Sequence, residues 1–386
     1  MYKGVVIGDV HHGARDDDNI YNELNDVFMY HLEMMDQLDF IIINGDWFHS
    51  KMYLNDRACI QAITTMNKII SLAIDRKSKV RVVYGTESHD SNQYTIFNKY
   101  KFNAVDFKII TTVEEEELFP DFHVLYIPEE HIYDKKEHYK DYFNNKQKYD
   151  FVFGHGVIQE VMTYIKRDSG KKSDRLKVPV FTSAELEYIC KGLVIFSHYH
   201  IYSNINDKVF YIGSFSRWQF GEEEPKGFFE LTKDDDKCEA LFIQNYMAET
   251  YVTLSYDQSS PIFYNENDFV KELDKVEKMV GEHMYDHIKL DIQIPMGFPN
   301  TKFITQYTKE KFKFNDSIKI EITAMDEKIR DDSQKEQLQE IIDKYACIFD
   351  KSIPIEEKIS YFIKTKYDKD ISIEKIKYYL YRDLNK

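Results

Sequence analysis

The stretch VVIGDVHHG, residues 5–13, joins an apolar run typical of a β-strand to a tight turn that carries Asp9 and His11. In extended backbone, residues i and i+2 point the same way, so both side chains can face one ion. The same layout recurs in four further stretches: FIIINGDWFH (40–49), VRVVYGTESHD (80–90), FVFGHG (151–156) and VIFSHYH (194–200). Acids and imidazoles delivered from five strand ends can meet at one edge of a sheet. This pattern predicts a binuclear metal centre, and such centres hydrolyse phosphate esters.

Each motif alone has an ordinary interpretation. A single D-x-H pair occurs by chance, G-D is a turn or a helix cap, and one histidine after a strand is usually a hydrogen-bonded core residue. The joint pattern favours metal, because five of the 13 histidines directly follow strand-like runs. Asp46 follows a glycine that permits a sharp turn, and one carboxylate can bridge two cations. The predicted metal ligands are Asp9, His11, Asp46, His155, His198 and His200.

Residues 1–232 alternate between apolar β runs and helical stretches, which predicts a layered α/β architecture with helices covering the sheets. Helices are predicted over Asn19–Met35 and Leu54–Ile74. The later strands lie closer together, so part of the sheet system is expected to be antiparallel. The predicted strands are Lys3–Ile7, Phe40–Ile43, Val80–Tyr84, Phe107–Ile110, Phe122–Ile127, Phe151–Phe153, Leu193–Phe196, Val209–Ile212 and Phe228–Leu231.

The rest of the chain predicts two smaller parts. The charge run Lys233–Lys237 is expected to end the first region, and Asp257–Pro261 has the composition of a linker. Residues 266–325 predict a helix, a strand (His287–Ile294), a helix and a strand (Ile318–Thr323). Apolar residues at helical spacing then predict a terminal helix–loop–helix. We therefore divide the chain into domains 1–256, 257–330 and 331–386.

Composition limits the class of protein. The 386 residues include 43% apolar and 15% aromatic residues, which is typical of a folded globular protein. The four cysteines form no CxxC pair, which suits a reducing cytosol. We expect no leader, because a strand begins almost at once, and no membrane span, because no apolar run approaches the necessary length. The expected location is the cytoplasm, or the host cytoplasm for a phage protein.

The net charge of −16 argues against a protein that binds nucleic acid without a partner, since such proteins usually present a basic surface. One local exception is IKRDSGKKSDRLK, residues 165–177, which has six basic and two acidic residues. This stretch is either a solvated loop or a phosphate-contacting loop. Its candidate DNA-binding residues are Lys166, Arg167, Lys171, Lys172 and Arg175.

In chain order, the five motifs resemble those of the calcineurin-like metallophosphoesterase superfamily, and this resemblance covers residues 1–232. A narrower likeness is to the SbcD nuclease family. GDWFHSK (45–51) is similar to that family's GDLFH stretch, and YIGSFSRWQFGEEEPKGFFEL (211–231) is similar to its Y-x-G-S…R…F-G-E…K-G-F segment. The spelling of the motifs resembles a bacteriophage member. The resemblance implies a metallophosphoesterase β-sandwich flanked by helices, with a small α+β capping domain and a C-terminal helix–loop–helix.

The resemblance also implies two ion sites. One ion would take Asp9, His11, Asp46 and His200. The other would take Asp46, His155, His198 and an asparagine. His89 would position or protonate the scissile phosphodiester, with Asp90 beside it as a second catalytic residue.

The asparagine is missing from the stretch GTESHD, residues 85–90. If His89 is aligned, Ser88 holds the asparagine's place. Glu87 is a substitute ligand, and Asn92 is a weaker one. Nitrogen and oxygen ligands of this kind suit Mn²⁺ best, with Mg²⁺, Fe²⁺ or Zn²⁺ as alternatives.

The function implied by the resemblance is an Mn²⁺-dependent DNA exonuclease and endonuclease subunit in recombination, repair or end processing. Its implied partners are DNA and an SbcC-type coiled-coil ATPase that docks on the C-terminal helices, and a homodimer is a further expectation. Two alternatives stay open. One is a phosphodiesterase or phosphatase for small nucleotides, which the acidity of the chain favours. The other is a catalytically weakened scaffold, which the altered GTESHD stretch favours.

Overall fold

A computed structural model describes most of the chain. It separates two compact units, one formed by Met1–Thr253 with Met279–Ile288, the other by Leu254–Lys278 with Lys289–Lys386. No helix among the described residues combines the length and apolarity needed to cross a membrane. The described residues are 1–15, 18–102, 105–144, 146–162, 178–235, 237–257, 259–263, 266–282, 284–294, 301–324, 354–367 and 370–381.

The strands, in chain order, are β1 (Tyr2–Ile7), β2 (Phe40–Asn44), β3 (Lys79–Val83), β4 (Asp106–Ile110), β5 (Glu114–Phe119), β6 (Phe122–Ile127), β7 (Tyr149–His155), β8 (Val157–Ile158), β9 (Val180–Phe181), β10 (Cys190–Ser197), β11 (Ser203–Asn206), β12 (Val209–Tyr211), β13 (Gly227–Asp234), β14 (Lys237–Gln244), β15 (Tyr251–Tyr256), β16 (His287–Ile294) and β17 (Ile318–Ala324).

Two six-stranded mixed sheets form the first unit. One has the order β14-β13-β1-β2-β3-β4, and the other has the order β11-β12-β10-β7-β6-β5. Strands β1 to β4 are parallel to one another, and so are β6, β7, β10 and β12. The outer pairs β1–β13, β13–β14, β5–β6 and β11–β12 are antiparallel, as expected for part of the sheet system.

The two sheets pack face to face, and helices cover both outer faces. In β2, Phe40 and Ile42 join the core between the sheets, whereas Ile41 and Ile43 join the core beneath the helices. Side chains alternate across a strand, so a strand buried on both faces is apolar at every position. The layered α/β sandwich flanked by helices, predicted from the sequence, is therefore confirmed.

The helices are α1 (Asn19–Glu23), which continues through a π-helical turn (Leu24–Met29) into α2 (Tyr30–Met34), then α3 (Arg57–Arg76), α4 (Glu87–Asp90), α5 (Lys135–His138), α6 (Lys140–Phe143), α7 (Gln159–Met162), α8 (Ser183–Ile189), α9 (Glu266–Gly281), α10 (Thr301–Lys311), α11 (Ile355–Tyr367) and α12 (Ile373–Tyr381). Short 3₁₀ segments cover Ser91–Phe102 and Pro261–Phe263.

All nine strands predicted in residues 1–232 are confirmed. The prediction that Lys233–Lys237 ends the region is wrong. Strand β13 runs to Asp234 and β14 begins at Lys237, where the two residues pair in an antiparallel hairpin. Asp234 and Lys237 are exposed at the solvated end of this edge hairpin, whereas Lys233 is buried and pairs with Asp150.

The predicted helix–strand–helix–strand order after residue 266 is confirmed by α9, β16, α10 and β17. Strands β15, β16 and β17 form a three-stranded sheet. The predicted terminal helix–loop–helix is confirmed by α11 and α12, which pack against each other. The backbone N–H of Lys375 donates to the Ser372 hydroxyl, so Ser372 caps the start of α12.

Candidate metal centre

The predicted metal ligands come from the carboxyl ends of strands in both sheets. Asp9 and His11 follow β1, and Asp46 follows β2. His155 is the last residue of β7, and His198 and His200 follow β10. The carboxyl ends of parallel strands lie at one edge of a sheet, and the face-to-face packing brings the two edges together.

The loops that carry these side chains are held by backbone and side-chain hydrogen bonds. The N–H of His11 donates to the Asp46 carbonyl at 2.9 Å, which joins the first two ligand loops. The Asn44 amide donates to the carbonyl oxygen of Gly154 at 2.8 Å and to the Ser197 hydroxyl at 3.0 Å, which joins the two sheets. These contacts fix the separation of the strand ends.

The backbone is strained where the ligands lie. Asp9, His11 and Asp46 have φ of 46°, 53° and 48°, in the left-handed region that side chains other than glycine seldom adopt. Gly45 has φ of 84°, and a Cβ there would lie 2.1 Å from His155 Nδ1. Strain of this kind costs about 1–3 kcal/mol per residue and clusters at functional sites.

Two groups of ligand atoms lie side by side. Asp9, His11 and His200 form one group, and Asp46, His155 and His198 form the other, with the ligand atoms of each group within 4.8 Å of one another. Asp46 Oδ2 lies 3.6 Å from His11 Nε2 and 3.3 Å from His155 Nε2. The Asp46 carboxylate therefore stands between the groups, where it can contact two ions.

Two buried atoms of the first group lack ordinary partners. Asp9 and His11 are fully buried, yet Asp9 Oδ1 and His11 Nε2 have no hydrogen-bond partner among the residues that the structure describes. Leaving a buried polar atom unsatisfied costs about 1–3 kcal/mol. A cation between these atoms would satisfy both, so these buried His and Asp groups fit a metal ion.

Neighbouring groups orient the imidazoles. His155 Nδ1 donates to the Asn44 carbonyl at 3.0 Å, which leaves Nε2 as the ligand atom. His200 Nδ1 donates to Glu222 Oε1 at 2.8 Å, which likewise leaves Nε2 free to bind an ion. A carboxylate or carbonyl behind a histidine fixes its tautomer and raises its basicity as a ligand.

Burial and neighbouring charges shift the pKa values of the site residues in opposite directions. Burial raises the pKa of Asp9 and lowers that of His11 well below its usual value. Burial also opposes the charge on Asp46, but the neighbouring His155 and His11 imidazoles hold the pKa of this carboxyl below its usual range. Burial disfavours charge on His155 too, but Asp46 and Asp9 raise its pKa to about 10. A cation that binds here must displace this proton, so binding is expected to release it.

His89, the predicted catalytic histidine, lies beside the first group. His11, His49 and His89 form a third cluster of candidate ligand atoms, and the His89 and His11 ring centroids lie 4.7 Å apart. His89 Nδ1 donates to the His49 carbonyl, which leaves Nε2 to take or give a proton. His49 lies in the stretch FIIINGDWFH, but the motif pattern predicted no role for it.

Asp90, the other predicted catalytic residue, is fully buried and holds loops together. Its carboxylate accepts from the backbone N–H groups of Asp46 at 2.9 Å, Phe48 at 3.2 Å and Gly85 at 3.0 Å. Burial, together with the Asp46 charge, raises the pKa of Asp90 to about 8. These contacts indicate that Asp90 positions the loops that carry the candidate ligands.

The structure does not bring the candidates for the asparagine's place to the site. Glu87, Ser88 and the weaker candidate Asn92 are all exposed. Thr86 occupies this place instead, because helix α4 begins directly after it and turns the next two side chains outward. Thr86 Oγ1 lies 3.3 Å from both His155 Nε2 and His198 Nδ1.

Glu129 is a second residue that the sequence reasoning missed. It follows β6, it is 8% exposed, and its Oε2 lies 3.0 Å from His198 Nδ1 and 3.1 Å from Thr86 Oγ1. A signal was present in the sequence. Strand Phe122–Ile127 was predicted, and an acid two residues past a strand end repeats the layout of Asp9 and Asp46.

The aromatic residues near the motifs differ in their surroundings. Trp47 is fully buried in the core. Trp218 is half-buried, and its ring centroid lies 4.6 Å from that of His11 and 4.5 Å from that of His200. The predicted DNA-binding residues Lys166, Arg167, Lys171, Lys172 and Arg175 lie outside the described residues.

Comparisons with known proteins add little to this geometry. No family model matches the chain, and no curated protein matches it. Among solved structures, 36 chains match. One of these, from a crystal structure, is 12% identical with a TM-score of 0.34, over 62% of this chain and 98% of that chain. A likeness at this level supports no statement about activity.

Proposed function

We propose that this protein is a metal-dependent phosphodiesterase, and specifically a DNA nuclease subunit of the SbcD type. The observation that carries the proposal is the position of Asp46 Oδ2, which lies 3.6 Å from His11 and 3.3 Å from His155 between the two ligand groups. One carboxylate between two such groups is the arrangement by which proteins hold a pair of cations. Mixed nitrogen and oxygen donors favour Mn²⁺, with Mg²⁺, Fe²⁺ or Zn²⁺ as alternatives.

When bound, a pair of divalent cations stabilises the charge that develops on a phosphodiester and acidifies a water molecule. Residues of this chain supply the rest. Asp9, His11 and His200 would hold one ion, His155 and His198 would hold the other, and Asp46 would contribute to both. The strained loops and buried hydrogen bonds fix these side chains before substrate binds, so little reorganisation is needed during the reaction.

His89 is the residue we assign to proton transfer. Its Nδ1 donates to the His49 carbonyl, so the free Nε2 can give a proton to the leaving oxygen. His89 contacts the first ligand group through the edge of the His11 ring. General acid catalysis by a positioned histidine contributes about 10²–10⁴ in rate.

DNA is the substrate that we favour, on the resemblance of the motifs and on the position of Trp218. A half-buried indole against two ligand imidazoles can stack on a nucleobase next to the scissile phosphate, an interaction worth about 1–3 kcal/mol per base. The net charge of −16 favours a second candidate, a phosphodiesterase for small nucleotides. Bound cations offset this charge locally, which keeps DNA compatible with the site.

We further propose that helices α11 and α12 dock on the coiled coil of an SbcC-type ATPase. The two helices form an apolar groove lined by Ile359, Ile363, Ile371, Lys375, Ile376 and Tyr379. A groove of this kind suits the apolar face of a partner helix. A homodimer, which the same resemblance implies, stays a prediction.

The direct test is hydrolysis of labelled duplex and single-stranded DNA by the full chain with Mn²⁺. We expect activity that EDTA abolishes. We expect His89→Ala to lower turnover about 10²-fold or more, the loss of a general acid, while Mn²⁺ binding is retained. His131→Ala is the matched control, because His131 is exposed.

The other outcomes separate the alternatives. Hydrolysis of bis-p-nitrophenyl phosphate or cyclic nucleotides, but never of DNA with or without the ATPase, would favour the small-nucleotide enzyme. Binding of two Mn²⁺ ions without turnover of any ester would overturn the proposed activity and favour a scaffold.

A further inference from the structure

We propose that Glu129 is a direct ligand of the second cation, the one held by Asp46, His155 and His198. This inference rests on the metal pair of the proposed function and adds a residue that the family resemblance does not assign. In the resemblance, a neutral asparagine supplies the fourth ligand of this ion. In this chain the carboxylate of Glu129, which follows strand β6, supplies that ligand instead.

The first support is the spacing of the donor atoms. Glu129 Oε2 lies 3.0 Å from His198 Nδ1, and His155 Nε2 lies 3.3 Å from Asp46 Oδ2. Thr86 Oγ1 lies 3.1 Å from Glu129 Oε2 and 3.3 Å from both imidazole nitrogens. Adjacent ligands of an octahedral ion with bonds of about 2.1 Å are about 3.0 Å apart. The Glu129–His198 and Asp46–His155 pairs are therefore each spaced like two neighbouring ligands of one ion, and Thr86 Oγ1 lies between the two pairs.

The second support is the burial of the Glu129 carboxylate. Its side chain is 2% exposed, and it contacts the Thr86 hydroxyl and the His198 imidazole, with the His155 imidazole nearby. A buried carboxylate needs positive charge beside it, because desolvation of a charge is costly, and a cation bound by Asp46, His155 and His198 would supply it. The Glu129 N–H donates to the Tyr84 carbonyl at 3.2 Å, which ties the segment after β6 to the end of β3. The side chain is thereby held toward the site.

With Glu129 as a ligand, the two ions would be bound by the same kinds of residues. The first would be held by Asp9, Asp46, His11 and His200, and the second by Asp46, Glu129, His155 and His198. Each shell then contains two carboxylates and two imidazoles. With a neutral amide in place of Glu129, the second ion would have only the shared carboxylate of Asp46. We therefore expect two Mn²⁺ ions to bind the wild-type chain with similar affinity.

The experiment is an Mn²⁺ titration of the full chain by calorimetry, together with electron paramagnetic resonance of the loaded protein. In Glu129→Gln we expect one of the two ions to bind about 10–100-fold more weakly, at least the loss seen for outer-shell changes. The other ion should be unaffected, and the signal of the spin-coupled pair should be lost at limiting Mn²⁺. Glu129→Asp, which keeps the charge but withdraws it by one methylene, should weaken the same ion.

Glu130→Gln is the matched control. The neighbouring Glu130 carboxylate contacts His138 Nε2 and the Tyr139 hydroxyl, each at 3.1 Å, so its loss removes the same charge without touching the site. The visible spectrum of the Co²⁺-loaded protein distinguishes a ligand from a nearby charge. It should change in Glu129→Gln and stay unchanged in Glu130→Gln.

The outcomes also separate this inference from the proposed function. A wild-type chain that binds no Mn²⁺ would remove the metal pair and the proposed function with it. Two ions bound equally well by wild type and by folded Glu129→Gln, with one Co²⁺ spectrum, would overturn the role of Glu129 and leave the proposed function standing. As a further check, Thr86→Asn should restore tight binding to Glu129→Gln, because it supplies an amide oxygen at the adjacent corner.

Discussion

Asp46 is the residue on which the two ligand groups depend. Its carboxylate is 2% exposed and lies between His11 and His155. Burial disfavours the charged form of Asp46, but the neighbouring imidazoles outweigh this effect and lower its pKa. The carboxylates in turn raise the pKa of His155 to about 10. Asp46 and His155 therefore form an ion pair where the cations would bind.

Glu222 orients His200, a candidate ligand of the first ion. Its Oε1 accepts from His200 Nδ1 at 2.8 Å, and its Oε2 accepts from the backbone N–H of Trp218 at 3.3 Å. Burial opposes its charge, but His200 and Lys226 hold the pKa of Glu222 below its usual value. The carboxylate thus stays ionised and fixes both the tautomer and the orientation of His200.

We predict that Glu222→Gln weakens the ion held by Asp9, His11 and His200 about 10–100-fold, the range for loss of such a partner. Calorimetric titration with Mn²⁺ measures the change. Glu223→Gln is the control, because Glu223 is exposed and adjacent. Mn²⁺ affinity that is unchanged from wild type in Glu222→Gln would show that the charge of Glu222 does not strengthen His200 as a ligand.

At the scale of secondary structure elements, burial decided which strands could be predicted from the sequence. Strand β2 is apolar throughout because both faces are covered. Strand β5 was missed because its sequence is EEEELF, in which a run of acids resembles a loop. Glu116 of this strand is nevertheless paired with the buried Arg81, at 2.8 and 2.6 Å. A contact between distant strands of this kind cannot be read from local sequence.

The sequence predicted most residues of the candidate site but not all of them. The six residues predicted as ligands from strand ends and spacing lie in two groups that could each hold a metal ion. Thr86 and Glu129 were missed for separate reasons. Alignment on His89 predicted Ser88 at the asparagine position. In the structure Thr86, which directly follows Gly85, lies at that position, and helix α4 begins after it. Glu129 was missed because its partner His198 is far away in sequence and only the sheet order brings them together.

The C-terminal helix pair allows a test at the same scale. We predict that Ile363→Asp, or removal of residues 351–386, abolishes co-purification with an SbcC-type ATPase, because a charge in the apolar groove opposes packing of a partner helix. Mn²⁺ binding should be retained, since every candidate ligand lies in the first unit. Lys364→Ser is the control, because Lys364 is exposed and pairs with Asp370 at 2.6 Å. Retained complex formation by Ile363→Asp would contradict the docking assignment.

At the scale of the whole molecule, the acidity of the chain and the chemistry of the site are separate properties. The net charge of −16 is spread over 386 residues, whereas the site places the buried carboxylates of Asp9, Asp46 and Glu129 beside imidazoles. Divalent cations reverse the local sign of charge, and long-range repulsion of DNA is screened over about 10 Å at 0.1 M salt. We therefore expect the affinity for DNA to depend on bound metal and on the partner more than on the average charge.

Glu23 links the stability of the first unit to pH. The carboxyl is buried where α1 ends, it accepts from the Asn245 amide at 2.7 Å, and Arg15 lies 3.9 Å away. Burial raises the pKa of Glu23 to about 7, above its usual value of 4.5. The folded state therefore binds this proton more tightly than the unfolded state does. The resulting stability is fully present below pH 4.5 and is lost as the pH rises through about 7.

We predict that Glu23→Gln, which mimics the protonated carboxyl, removes this loss. Measured by urea unfolding in EDTA, the free energy of unfolding of wild type relative to Glu23→Gln should fall between about pH 5 and pH 8, by at most about 3 kcal/mol at about 1.4 kcal/mol per pKa unit. Glu33→Gln is the control, because Glu33 is exposed on the same helical stretch. A difference between wild type and Glu23→Gln that is constant over this pH range would show that Arg15 and Asn245 keep Glu23 ionised, and that burial does not control its titration.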